Sequence, residues 1–233
     1  MRRFFNLYQY ITPLLLFPLA YWLWFSQSHS HPFALFALSI PIVAAYVIPG
    51  IGTNVLGLWE FDTRLRLGKF RPQHGFVFGT ATSLFAILCA DPSIHGFSLF
   101  GWLRAGFILG TVIGFWNWLY DIYAIKVGFI RMYNQPYARG EGAEAIATDY
   151  APAYFGLHGV CYGLVLYLAQ YLFLEMGHWK FFWPLLILGH LVTLSVPTLS
   201  YMGLSRLQHG HTGLKSFKEA EEADNTEKAK SVG

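Results

Sequence analysis

Asn117 and Asp121 stand four residues apart in the run FWNWLYD, so one turn of helix puts an amide and a carboxylate on one face of an apolar segment. His158, in AYFGLHGVCYG, follows Tyr154 at the same spacing, and Glu60 closes another long apolar run at LGLWE. Carboxylates and an imidazole in greasy surroundings are the groups that exchange protons with a substrate, or that hold a metal preferring oxygen and nitrogen. Ionisable side chains inside a bilayer are costly, and where they occur they face a bundle interior or a cavity. Glu60, Asp121 and His158 are therefore the candidate catalytic residues, with Asn54, Asn117, Tyr154 and Asp149 as candidate substrate contacts. The sequence specifies no cofactor and leaves the metal unknown: neither HExxH nor His-x-x-x-His occurs. A haem held by His158 and His190 would need two histidines at matched depth, and theirs differ.

Most of these residues also have a plainer account. Glu60 with Arg64, and Asp62 with Arg66, are i,i+4 pairs of the kind that decorate a helix end. His74 follows Pro72 and marks a helix start, and Asp149 in TDYAP is placed to cap the next one. Tyr150, Tyr154, His158 and Tyr162 form a stripe that core packing alone would explain. Asp121 is harder to dismiss. Gly106, Gly110 and Gly114 recur every fourth residue, a ridge that lets a neighbouring helix approach closely, and Asn117 and Asp121 continue that face. Packing accounts for the glycines and leaves the aspartate without a reason.

The elements that must position these residues are membrane helices. Of the 233 residues 55% are hydrophobic and 12% charged, about half the charge of a soluble domain. Six stretches approach the roughly 20 apolar residues that a bilayer crossing needs: 9–27, 33–59, 75–91, 102–123, 152–174 and 180–204. Of the 16 lysines and arginines only Arg104 and Lys180 fall on one side of a six-span alternation, which predicts both termini cytoplasmic. The expected fold class is an all-α polytopic bundle of six transmembrane helices over 1–204, followed by a polar cytoplasmic tail, 205–233, with a disordered composition. The basic start MRRFF lacks a small-residue cleavage site and reads as the beginning of a retained anchor. The long loop 129–150 holds EGAEAIA, which predicts a short surface helix that can cover the polar cluster.

This composition excludes several classes. No basic, aromatic-interleaved soluble patch supports nucleic-acid binding. Cys89 and Cys161 lie in apolar runs and form no disulfide framework. The two halves show no matched broken segments of the inverted-repeat transporter kind. The leading expectation is a membrane enzyme acting on a lipid or isoprenoid-like substrate by proton transfer or metal-assisted chemistry. The alternative is a non-catalytic subunit or assembly factor packed against partner helices or in a homo-oligomer, and a small transporter comes third. Membrane lipids are partners in every case. Two segments, TNVLGLWE (53–60) and WNWLYDIYAIKVG (116–128), are similar to parts of the integral-membrane terpene cyclases of meroterpenoid pathways. That resemblance implies membrane-embedded carboxylates that protonate a polyprenyl chain. It covers those two segments only, and here a full extra span separates them.

Overall fold

A computed structural model describes residues 1–90 and 96–218; the remainder of the polar tail, 219–233, lies outside the described residues. Helix α1 (Arg2–Ile11) passes through a π-turn at Thr12–Leu16, where Pro13 sits, into α2 (Phe17–Ser28). Helix α3 (His31–Gly50) ends in a second π-turn, Ile51–Val55, and strand β1 (Trp59–Phe61) follows. Helices α4 (His74–Cys89) and α5 (Leu99–Lys126) lead to strand β2 (Ile130–Met132), then to short helices α6 (Gln135–Ala138) and α7 (Ala143–Thr148). Helix α8 (Ala151–Ala169) continues as a π-turn, Gln170–Glu175, before α9 (Phe182–His209).

The chain is mostly helical, and among the described residues four helical runs are long and apolar enough to cross a membrane: His31–Val55, Leu99–Lys126, Ala143–Glu175 and Trp179–His209. The other two expected spans are weaker elements. Helix α4 is apolar but has 16 residues, about 24 Å against a hydrocarbon core of about 30 Å. The run through α1 and α2 is interrupted by its π-turn. The short helix expected near 143–148 is present as α7, and α9 runs on beyond residue 204 to His209.

Local sequence explains the boundaries. Ser30 and Ser98 cap α3 and α5 by accepting from the Phe33 and Gly101 amides, and Gly210, at φ 76°, closes α9. The second apolar stretch ends earlier than expected. Its helix stops at Val55, and Gly57 at φ 63° turns the chain into a strand. Glu60 and Asp62 therefore never form helical pairs with Arg64 and Arg66. Glu60 lies opposite Arg131 in an antiparallel β1–β2 ladder, and Asp62 pairs with Arg2. This small sheet was not expected from the pattern, because one strand sits in each of two distant loops.

Helix α8 is the central element and packs on α5, α9 and α3. Against α5 the contact is glycine on glycine: a Cβ on Gly110 would meet Val160 and the Gly156 carbonyl, and one on Gly159 or Gly163 would strike the α5 backbone. The ridge read from the sequence is thus filled by the chain's own α8 and calls for no second protein. The larger apolar core joins Trp24, Phe36, Ile113, Tyr162 and Phe173. A smaller one, of Phe5, Phe61, Phe129 and Ile130, lies at the end of the bundle where the sheet, the N-terminus and residues 210–218 gather.

Candidate functional site

Five helices (α3, α4, α5, α8 and α9), the sheet and α1 enclose a cavity of about 340 Å³ at that end of the bundle. This is within the range of sites for small amphiphiles. Its wall is apolar along Ala44, Ile48, Val77, Phe78, Ala81 and Phe155, and polar where Asn117, Asp121, Tyr154, His158, Arg71 and His74 enter. In β1 the side chains alternate, so Trp59 and Phe61 line the cavity while Glu60 faces away. Gly52 lets the Trp59 ring lie directly on the π-turn, since a Cβ there would fall inside the indole.

His158 is oriented by a proline on a different helix. Pro197 in α9 has no N–H to give to the Thr193 carbonyl four residues earlier, and His158 Nδ1 takes that carbonyl at 3.2 Å. The same device recurs one turn along α8, where the Tyr162 hydroxyl donates to the Ala37 carbonyl, at 2.8 Å, that Pro41 leaves open in α3. With the ring proton committed at Nδ1, Nε2 carries a lone pair. That nitrogen is buried and has no hydrogen-bond partner among the described residues.

Asp121 is also buried, and the Tyr150 hydroxyl donates to its Oδ2 at 2.7 Å. Its Oδ1 meets no protein donor among the described residues, so one oxygen is held and one is open to a ligand or a proton. Asn117 donates back to the Ile113 carbonyl at 2.9 Å and lines the cavity. Tyr154 is one of six tyrosines that line the cavity, with Tyr8, Tyr120, Tyr133, Tyr150 and Tyr201.

Three of the sequence candidates stand elsewhere. Glu60 accepts from the Tyr133 hydroxyl at 2.7 Å and from Lys218 at 3.3 Å, with Arg131 3.8 Å away. Partial burial works against the charged form. The Tyr133 and Lys218 hydrogen bonds and the charges of Lys218 and Arg131 outweigh it and hold the carboxyl below its ordinary value. Asp149 does not cap α8. It gathers Asn134 at 3.0 Å, Tyr201 at 3.3 Å and His209 at 2.6 Å, tying the α6–α7 loop to the end of α9. Asn54 accepts from the Lys69 amide at 2.8 Å and shapes the turn that Gly68 makes at φ 66°. No group of three or more His, Cys, Asp or Glu side chains that could hold a metal forms among the described residues.

Two features escaped sequence reasoning. The distribution of bases along the chain marks Arg71 only as one of the many loop cations. Arg71 is instead 1% exposed, stacked over Phe61 and Phe129 at 4.4 and 5.1 Å, and bonded through Nε to His74 Nδ1 at 3.0 Å. The spacing of Arg71 and His74, three residues apart on either side of Pro72, was the available signal. The start of the polar tail is the second feature. After His209 it doubles back: the Ser216 hydroxyl donates to Gly57, the Phe217 amide donates to Tyr133, and Gly213 and Leu214 close the cavity. No family model, curated protein or solved structure matches the chain, so the short resemblance at 53–60 and 116–128 carries no family assignment.

Proposed function

We propose that this chain is a six-span membrane enzyme with both ends cytoplasmic, which binds a lipid or isoprenoid-like substrate in the basic-end cavity and moves protons on it. The observation that carries this reading is the pairing of two complementary groups on one largely apolar wall. Asp121 has one oxygen held by Tyr150 and one open, and His158 has an unpartnered Nε2 lone pair fixed by Pro197 and Thr193. A carboxylic acid that gives a proton and an imidazole that takes one leave the protein's proton count unchanged and convert a substrate into its isomer. Proton transfer is preferred over metal-assisted chemistry because no donor set for a metal assembles among the described residues. Asn117 and Tyr154 supply polar contacts to the bound molecule, while Glu60 and Asp149 act from outside by holding the cover in place.

The test is a comparison of lipid extracts from cells lacking the protein and cells carrying wild type, Asp121→Asn or His158→Gln. The reading expects a lipid whose level depends on wild type and is restored by neither variant, with each variant present at normal folded level. Restoration by both variants would reject it.

A further inference from the structure

Among the described residues Arg71 is the one buried cation at the cavity, and none of them neutralises it by contact. Its guanidinium is 1% exposed, and no carboxylate among the described residues forms an ion pair with it. Only Nε has a firm bond, to His74 Nδ1, which obliges His74 to carry its own proton on Nε2 and to stay neutral beside the charge. Nη1 is buried with no hydrogen-bond partner by geometry, and the buried Tyr120 hydroxyl beside it finds no partner among the described residues other than the Arg71 guanidinium itself, which leaves both groups free to face a ligand. Stacking on Phe61 and Phe129 offsets part of the cost of burying the cation. It leaves a charge-bearing N–H without an acceptor, and a buried guanidinium in that state is expensive unless a ligand completes it.

We infer that Arg71 and Tyr120 form a receptor for a singly charged oxyanion, so that the molecule held in the cavity is an amphiphile with an anionic head and an apolar body. This rests on the cavity being the substrate site and names the class of substrate. Charge sets the limit. One guanidinium beside a neutral histidine, with Asp121 in the same cavity, suits a carboxylate or a phosphodiester. A diphosphate needs several cations or a divalent metal. The apolar body runs along Ile48, Val77, Phe78 and Phe155, away from the guanidinium. A free acid and a phospholipid share this head chemistry, and the experiment separates them.

The full chain in nanodiscs of zwitterionic lipid is titrated with a fluorescent hexadecanoic acid, with its methyl ester, and with phosphatidylglycerol as competitor. The readout is energy transfer from tryptophan, since Trp59 lines the cavity. The acid is expected to bind wild type about tenfold or more tightly than the ester, the effect of one charged hydrogen bond. Arg71→Gln removes that preference by weakening the acid, leaving the ester unchanged, and Arg71→Lys keeps part of it. Displacement of the acid by phosphatidylglycerol points to a phosphodiester, and its absence to a free carboxylate. Equal binding of acid and ester to wild type overturns the inference, as does a preference that survives Arg71→Gln. The wild-type comparison decides the matter even if Arg71→Gln fails to fold. Asp121→Asn removes a carboxylate from the same cavity and so keeps or strengthens the acid preference while abolishing the isomerisation, which makes loss of the preference and loss of that chemistry separate failures.

Discussion

His158 is oriented by a residue that is not among those lining the cavity. Pro197 withholds an N–H from Thr193, and the freed carbonyl fixes which imidazole nitrogen faces the cavity. Pro197→Ala would return that N–H, let α9 close its own hydrogen bond and set His158 free to rotate. The expected outcome is a higher or unchanged melting temperature with a fall in turnover, read by thermal unfolding alongside the lipid assay. Asp121→Asn is expected to keep folded yield while lowering turnover by about 10²- to 10⁴-fold, the usual worth of a positioned acid or base. A structural role would reverse this, with yield lost and activity per folded molecule kept. Asp121 and His158 were legible in the sequence because an ionisable residue in an apolar run has few harmless explanations. Arg71 was not, because a base in a short loop satisfies the topology rule wherever its side chain points. Glu60 was misplaced for a backbone reason: helical spacing was carried through Gly57, where a positive φ ends the helix.

The elements that position the site are α8 and the cover made by the sheet and residues 210–218. Gly110→Leu would drive a side chain into Val160 and the Gly156 carbonyl, and at such a contact overpacking costs about 1–3 kcal/mol or more. Folded yield and melting temperature should both fall, while Gly203→Ala, at an open position on α9, should leave them unchanged. The cover is held by Glu60, whose carboxyl is kept below its ordinary value, so the linkage has a definite sign. A lowered native value means the contribution is fully present above the ordinary carboxylate value and is lost only as pH falls through the lower native one. Hydrogen exchange at 214–218 should therefore stay slow at neutral pH and quicken only in acid. In Glu60→Gln it should be faster already at neutral pH, by an amount matching about 1 kcal/mol or less, because the pair with Lys218 is partly exposed. The strap itself was illegible, since its composition is that of a solvated tail. Its order comes from a few long-range bonds, such as Ser216 to Gly57, that no local pattern encodes.

At the scale of the molecule, the bundle was legible from apolar length and the one-sided distribution of bases, and four of its runs have spanning length and apolarity. The first and third expected spans fall short for local reasons, a proline-bearing π-turn and a helix of 16 residues. Single cysteines placed at 64–69 and 139–141 on a cysteine-free background should be labelled only from the cytoplasmic face, and those at 28–30 and 177–178 only from the far face. The sheet, α7, residues 210–218 and the N-terminus all gather over the basic end. The most direct measurement of the central claim is to incubate the purified chain with a total lipid extract in deuterium oxide and examine the lipids by mass spectrometry. Proton donation to carbon by Asp121 with removal by His158 predicts a lipid that keeps its composition and gains one non-exchangeable deuterium. This should occur with wild type and not with Asp121→Asn or His158→Gln. A lipid population free of carbon-bound deuterium after incubation with wild type, or labelled equally by wild type and both variants, would contradict the account.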